Sequence, residues 1–85
     1  MAYQLTFKRK AIKALQRISE PYYSNIMVAI DNLRDNPRPH GYKKLRGINA
    51  YRIRVGSYRV VYNVINDKLV ITILSIGHRK DVYED

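Results

Sequence analysis

The sequence predicts an α+β fold in which a hairpin of two helices packs on one face of a small, antiparallel-rich sheet. Apolar and polar residues alternate over residues 3–7, and two segments with helical periodicity follow. Three strand-like segments separated by turn residues come next, and a short polar tail over residues 78–85 ends the sequence. The predicted order is therefore β-α-α-β-β-β, and the 85 residues are expected to form one domain over positions 1–85.

The two helices are predicted from the spacing of their apolar residues. Residues 8–18 form the first, with one apolar stripe on its surface. Pro21 suits the first turn of the second, because the N–H that proline lacks would have no helical partner there. That helix is expected to end near Arg34. The stripes consist of Ala11, Ile12, Leu15 and Ile18 in the first helix, and of Tyr22, Ile26, Ala29, Ile30 and Leu33 in the second.

Three strands are predicted in the second half of the chain, after a basic connector at residues 43–48. Residues 50–55 and 58–65 are joined by Gly56-Ser57, which suits a type II′ turn with glycine at the position of positive φ. Asn66-Asp67 is expected to form the next turn, and Gly77 to end the last strand, residues 68–76. The continuous apolar run of that strand predicts a central position covered on both faces.

Three arginines lie inside these strands, where charged residues are disfavoured. A two-residue turn pairs Arg54 with Arg59 and Arg52 with Val61, so the three arginines share one face. That face is expected to be open and concave, because the helices cover the other. Like charges directly opposite each other destabilise a hairpin, so the pattern indicates a positive surface that binds a phosphate backbone. The alternative is a sheet face that is merely solvated.

The alternation of side chains also predicts which other residues lie on each face of the sheet. A regular ladder through the second turn would place Thr72 and Leu74 on the arginine face as well. The arginines would then lie over an apolar floor, which could pack against a nucleobase or against a partner protein. The opposite, helix-covered face is expected to carry Tyr51, Ile53, Val55, Tyr58, Val60 and Tyr62.

Composition narrows the class of protein. Sixteen Lys and Arg against seven Asp and Glu give a formal net charge of +9, which predicts a nucleic acid, an acidic protein partner, or both. The chain has no cysteine, and its two histidines, His40 and His78, are far apart, so no metal site or cofactor is expected. No apolar run approaches the roughly 20 residues of a membrane span, and the N-terminus lacks the apolar stretch of a signal peptide. We therefore expect a cytoplasmic protein that does not bind membranes.

The connector, the arginine-bearing strands and the end of the chain form a specific combination of motifs. They read Lys43-Lys44-Leu45-Arg46-Gly47, Tyr51-Arg52-Ile53-Arg54-Val55, Tyr58-Arg59-Val60-Val61-Tyr62 and Gly77-His78-Arg79-Lys80-Asp81-Val82-Tyr83. Together they resemble the RelE toxins of bacterial and archaeal toxin–antitoxin pairs, and the resemblance covers the whole chain.

This resemblance implies a metal-independent endoribonuclease that cuts messenger RNA in the ribosomal A site and so inhibits translation. In that family a ribose 2′-OH attacks the adjacent phosphate, and the products carry a 2′,3′-cyclic phosphate and a 5′-OH. The implied partners are the ribosome, messenger RNA and an acidic RelB-like antitoxin. The free toxin is expected to be a monomer, and its complex with the antitoxin a higher oligomer.

The resemblance also assigns roles to residues. Arg59 matches the phosphate-binding arginine of the family, and Arg79 matches the arginine near the scissile phosphate. Tyr83 matches a tyrosine that acts as a base or as a stacking platform. The basic connector is expected to contact RNA or the ribosome through Lys43, Lys44 and Arg46.

The chain departs from the best-known RelE toxins at two strand positions. Arg52 and Arg54 stand where those toxins carry lysines. A guanidinium can stabilise phosphate charge through forked hydrogen bonds but is a poor proton donor or acceptor. Proton transfer is therefore assigned to His78 or Tyr83, since a histidine ordinarily titrates with a pKa near 6.5 and a tyrosine near 10.

Two other readings stay open. ParE toxins share the fold and act as non-enzymatic gyrase poisons, but they lack the full arginine set and the spacing that joins Arg79 to Tyr83. A plain module that binds nucleic acid or a protein partner would need the basic face without any particular tail.

Overall fold

The computed structural model describes residues 2–78, which form a five-stranded mixed sheet with two helices on one face. The strands are ordered β1-β5-β4-β3-β2 across the sheet, and β1 runs parallel to β5 while the other pairs are antiparallel. The predicted α+β class and the helical pair are confirmed. In chain order the elements are β1 (Gln4–Phe7), α1 (Arg9–Gln16), α2 (Tyr22–Asn32), β2 (Lys43–Lys44), β3 (Tyr51–Val55), β4 (Tyr58–Ile65) and β5 (Val70–His78).

The core lies between the helices and one face of the sheet. α1 packs over β5 and α2 over β3, and the predicted helix-covered face of the β3–β4 hairpin is confirmed. Two predicted stripe residues lie outside the core, since Ile12 is 46% and Tyr22 50% exposed. Ile12 instead lines an open cleft between the ends of the helices, together with Tyr23. The buried core residues are Ala11, Leu15, Ile26, Ile30, Leu33, Ile53, Val60, Tyr62, Val64, Ile71, Ile73 and Ile76.

The start of α2 is stabilised by an acidic side chain that precedes it. Pro21 occupies the position just before the helix and offers no side-chain cap. Glu20 takes that role, because its carboxylate accepts hydrogen bonds from the Ser24 N–H at 3.0 Å and the Ser24 hydroxyl at 2.7 Å. A negative charge at a helix N-terminus also interacts favourably with the helix dipole. The break between the helices is therefore fixed by Glu20 as well as by proline.

The β3–β4 hairpin has the predicted register. Val55 pairs with Tyr58 and Arg54 with Arg59 across a two-residue turn. Gly56 has a φ of 60°, while Ser57 is not in the positive region, which is the type II′ geometry. The predicted bounds of β4 are also those observed.

The last strand differs from its prediction in three ways. The turn before it takes four residues, with Leu69 at a φ of 54°, so β5 begins at Val70. Gly77 does not end the strand, because it pairs with Arg59 and the ladder continues to His78. β4, not β5, is the middle strand of the sheet, and β5 lies between β4 and β1.

The basic connector contains a strand that was not predicted. Lys43 and Lys44 pair with Arg52 and Tyr51 as the edge strand β2. Two residues are too few for any alternating pattern, so the sequence carries no signal for this strand. Within residues 2–78, no helix is long and apolar enough to cross a membrane.

Candidate nucleic-acid interface

Four cationic side chains lie on the face of the sheet that the helices leave open. Cross-strand pairs share a face, so the row from Lys43 through Arg52 to Val61 places two cations together. The next row places Arg54 opposite Arg59. The predicted grouping of the three arginines is confirmed, and Lys43 joins it. We call these four residues the arginine face.

The predicted apolar floor is present beneath these cations. Leu45, Ala50 and Val61 form a second buried cluster, separate from the main core, and Leu74 packs against it. Thr72 pairs with Asn63 and lies farther along the same face. The arginine face therefore combines positive charge with a small apolar surface.

The prediction that this face is open is wrong for two of the arginines. Arg59 is only 2% exposed and Arg52 8%, whereas Arg54 is exposed. Long arginine stems lie along apolar surface, here the floor below them. Arg52 also donates a hydrogen bond from Nη1 to the carbonyl of Gly41 at 3.2 Å, so the loop before β2 folds over its head. Gly77, opposite Arg59, has no side chain to compete for that space.

His78 lies on the other face of the sheet from the arginines. A bulge between Val61 and Tyr62 places Ser75 opposite Val61 but Ile73 opposite Tyr62, which reverses the alternation along β5. His78 then pairs with Tyr58, and its ring lies edge-on to the Tyr58 ring with centroids 5.8 Å apart. The geometry therefore separates the predicted proton-transfer histidine from the predicted phosphate-binding groups.

The other predicted site residues also lie away from the arginine face or outside the described residues. Lys44 is adjacent to Lys43 but belongs to the opposite face, where its Nζ lies 5.9 Å from the ring centroid of Tyr51. Arg46 is exposed in the loop after β2. Arg79 and Tyr83 lie outside the described residues.

Asn63 is a polar residue of the arginine face that the sequence reasoning missed. Its Oδ1 atom is buried and has no hydrogen-bond partner within the described part of the chain. Asn63 is two residues after Val61 and four after Arg59 in β4. The alternation of side chains along a strand therefore predicts that it shares their face. A buried carbonyl oxygen without a partner is destabilising, so this atom is a candidate acceptor for a ligand.

The loop between α2 and β2 is held by a tyrosine from the helix-covered face. The hydroxyl of Tyr62 donates to the carbonyl of Pro37 at 2.6 Å. Burial raises the pKa of Tyr62 well above its ordinary value, and the nearby Arg38 only partly opposes this. The hydroxyl therefore stays protonated and serves as a fixed donor to the loop.

Arg38, in the same loop, is held against a second tyrosine. Its Nη2 donates to the Tyr51 hydroxyl at 3.2 Å, and its Cζ lies 5.2 Å from the Tyr51 ring centroid. The hydrogen bond to Tyr51 raises the pKa of Arg38 above its ordinary value. The ring of Tyr42 lies edge-on to that of Tyr51 at 5.8 Å. The sequence reasoning assigned no role to Arg38 or Tyr42.

The fold and the basic face are those of a toxin of a type II toxin–antitoxin system. The family described as ParE toxin of type II toxin–antitoxin system, parDE, matches residues 5–83, and the chain belongs to this family.

Individual relatives point to the RelE toxins. The mRNA interferase toxin RelE of Escherichia coli K12 is 32% identical over 90 residues, which cover 100% of this chain and 94% of that protein. The archaeal RelE–RelB complex from Pyrococcus horikoshii superposes with a TM-score of 0.83 at 32% identity, covering 96% of this chain and 100% of that one. The intact E. coli RelBE toxin–antitoxin complex gives 0.80 at 31% identity, covering 91% and 96%. The predicted similarity to RelE toxins is confirmed.

Proposed function

We propose that this chain is the toxin of a type II toxin–antitoxin pair and cleaves messenger RNA as a ribosome-dependent endoribonuclease. The observation that carries this proposal is the convergence of Lys43, Arg52, Arg54 and Arg59 on one face over an apolar floor. Four cations in this space suit a phosphodiester whose charge increases during cleavage. The name mRNA interferase, carried by the E. coli relative, supports the same reaction.

The proposed reaction needs only groups that stabilise charge and move protons. The 2′-oxygen of one ribose attacks the adjacent phosphorus, and the bond from phosphorus to the 5′-oxygen of the next nucleotide breaks. One proton leaves the 2′-hydroxyl and one reaches the departing 5′-oxygen, which gives a 2′,3′-cyclic phosphate and a 5′-OH.

We propose that the cations divide this work according to their burial. Arg54 is exposed and can meet the RNA first, while Arg59 is almost completely buried. Charge interactions are stronger where water is excluded, so Arg59 is the better group for the pentacovalent phosphate. Arg52 would act beside it, and we propose that Arg79 completes the set.

Proton transfer is assigned by elimination among the predicted groups. His78 faces the helix-covered side and contacts Tyr58, so it would have to leave that packing to reach the scissile phosphate. Guanidinium groups remain protonated and exchange protons poorly. We therefore propose Tyr83 as the proton-transfer group of this chain, with His78 as the alternative.

The neutralising partner is proposed to be an acidic antitoxin similar to RelB. Solved relatives include RelB–RelE complexes from P. horikoshii and E. coli. A chain with a net charge of +9 favours an acidic partner. We propose that the free toxin is monomeric and that the antitoxin complex is oligomeric. Copurification with the product of the adjacent reading frame, followed by mass measurement, tests both statements.

Replacing Arg59 tests the catalytic proposal. Arg59→Ala should lower the single-turnover cleavage rate of a translated message by about 100- to 1000-fold, as expected for loss of one group that stabilises transition-state charge. Lys68→Ala, which removes an exposed cation from the turn before β5, serves as the matched control. The cleaved ends should carry 2′,3′-cyclic phosphate. Equal rates for Arg59→Ala and Lys68→Ala would contradict the proposal.

Poisoning of gyrase is the second candidate function, because the matching family is described as ParE toxins. Expression in a bacterial host with separate readouts for translation arrest and DNA breaks distinguishes the two. DNA breaks without message cleavage would replace the endoribonuclease proposal with the gyrase reading.

A further inference from the structure

A second surface of cations and aromatic rings lies on the opposite side of the sheet edge from the arginine face. We call Arg38, Tyr42, Lys44 and Tyr51 the Tyr51 cluster. Both cations lie against the Tyr51 ring, with Arg38 Cζ at 5.2 Å and Lys44 Nζ at 5.9 Å from its centroid. Tyr42 is 40% exposed beside them. The cluster takes no part in the proposed cleavage, so its arrangement needs another explanation.

Arg38 is exposed, yet hydrogen bonds hold both its side chain and the loop around it. Its own N–H donates to Asn36 Oδ1 at 3.2 Å, which shapes the loop. The preceding residue, Pro37, is held by the Tyr62 hydroxyl, and the following Pro39 accepts a hydrogen bond from the Tyr42 N–H at 3.0 Å. Flexible side chains lose conformational entropy when they bind a ligand. A side chain that is already fixed loses less, so this loop prepares Arg38 for binding.

The chemistry of the cluster matches single-stranded RNA. The hydrogen bond to Tyr51 uses one of the five N–H donors of Arg38, and the exposed guanidinium can present others to a phosphate. Lys44 adds a second charge on the same face. An exposed tyrosine ring such as Tyr42 can stack on a base of any identity. Proteins that bind single-stranded nucleic acid commonly combine cationic side chains with exposed aromatic rings.

The position of the cluster connects it to the arginine face. Lys43 and Lys44 are consecutive residues of the two-residue edge strand, and their side chains lie on opposite faces of the sheet. Lys43 belongs to the arginine face and Lys44 to the Tyr51 cluster. An RNA strand that crosses this edge would therefore meet cations continuously from one face to the other.

We propose that the Tyr51 cluster is a second binding site for single-stranded RNA, in which Arg38 and Lys44 contact phosphodiester oxygens and Tyr42 stacks on a base. The site holds the part of the strand that extends beyond the arginine face. This inference rests on the proposed function, because it takes RNA as the substrate.

The experiment measures binding of single-stranded RNA that cannot be cleaved because its 2′-oxygens are methylated. Fluorescence anisotropy is recorded at several salt concentrations for a series of oligonucleotides shortened from each end. The parent protein is compared with Arg38→Ala, Arg38→Lys and Tyr51→Phe, and with Lys68→Ala as the control for charge. Thermal unfolding of each variant checks that it is folded.

Arg38→Ala should weaken binding of the longest oligonucleotide about tenfold, the size expected for one charge-assisted hydrogen bond. The slope of log affinity against log salt should fall by roughly 0.7 for the lost phosphate contact. Oligonucleotides too short to leave the arginine face should bind both proteins equally. Tyr51→Phe should weaken binding about threefold without changing the slope, because Arg38 keeps its charge but loses its anchor. Arg38→Lys should lie between the parent and Arg38→Ala.

The inference is overturned if Arg38→Ala binds the longest RNA like Lys68→Ala, with the same affinity and salt slope. It is also overturned if Arg38→Ala binds RNA like the parent but loses affinity for the acidic antitoxin, which would make the cluster a protein interface. Cleavage assays with Arg59→Ala separate this failure from failure of the proposed function. A parent that cleaves through Arg59 while Arg38 has no effect on binding refutes the second site alone.

Discussion

The two faces of the sheet are built from the same strands but have different chemistry. The helix-covered face buries Ile53, Val60 and Tyr62 against α1 and α2. The arginine face places Arg52 and Arg59 over a small apolar cluster. Arg59 is as fully buried as the core residues of the other face. Burial therefore does not distinguish Arg59 from the core residues of the other face, whereas its charge does.

This difference indicates separate purposes for the two faces. Burying apolar side chains stabilises the folded state, whereas burying a guanidinium has a desolvation cost that its contacts only partly offset. An arrangement that carries this cost is expected where a concentrated positive charge is needed for binding or catalysis. Substitutions on the two faces should accordingly change different quantities.

The largest effect is expected from the helix-covered face. Ile73→Ala should lower the free energy of unfolding by about 2–5 kcal/mol, because it leaves a cavity at a completely buried position of β5. Thr72→Ala, at the neighbouring position on the other face, should cost less than about 1 kcal/mol through loss of its hydrogen bond from Thr6. Urea denaturation measures both values. Similar losses for the two variants would remove the distinction between the faces.

A smaller effect is expected from the arginine face, and it should change the cleavage rate rather than the free energy of unfolding. Arg52→Met keeps much of the apolar stem but removes the charge and the hydrogen bond to Gly41. The single-turnover cleavage rate should fall by about 10- to 100-fold, while the free energy of unfolding changes by no more than about 1 kcal/mol. Lys68→Met, at an exposed position, is the control for charge. A large loss of stability with no loss of rate would make Arg52 a structural residue.

The smallest effect concerns the polar tip of a core residue. Tyr62→Phe should cost about 0.5–1.5 kcal/mol at neutral pH, because the Pro37 carbonyl loses its donor. Burial raises the pKa of Tyr62, so the folded state retains the hydroxyl proton at a pH where the unfolded state has lost it. The stabilisation is complete below the unfolded pKa of about 10 and declines as pH rises above that value. Urea titrations at increasing pH should therefore show the parent and the variant converging.

An exposed tyrosine provides the control for this pH experiment. Tyr23→Phe, at the start of α2, should leave both the neutral stability and the alkaline decline unchanged. If Tyr62→Phe and the parent lose stability in parallel as pH rises, the buried hydroxyl does not retain its proton as proposed.

Much of the fold could be predicted because local signals were strong. The two-residue turn at Gly56-Ser57 determines which residues face each other, so the pairing of Arg54 with Arg59 followed directly. The helical stripes identified Ile26 and Ile30 as core residues. The two-residue strand β2 could not be predicted, because pairing with β3 rather than any pattern in its own residues defines it.

The site was predicted less completely, because burial and register depend on distant parts of the chain. The sequence grouped Arg52 with Arg59 but could not show that both are buried, since this requires the cluster around Leu45 and the loop at Gly41. A regular ladder that places Leu74 on the arginine face would also place His78 there. The observed bulge places His78 on the opposite face, and no residue type in this segment predicts a bulge.

The bulge also changes which side chains of β5 face the helices partway along the strand. Before it, Ile71 and Ile73 face the helices, and after it Ile76 does, an interval of three residues in place of two. If the same residues alternated regularly without the bulge, Ile76 would turn away from the helices and Gly77 would enter the core. Deleting one residue at the bulge would instead shorten the interval from Ile73 to Ile76 to two residues and keep Ile76 facing the helices. For this strand, the number of residues is therefore as strong a constraint as their identity. A one-residue deletion at Leu74 should therefore be tolerated better than a one-residue deletion elsewhere in β5, which would reverse the faces of the residues on one side of it.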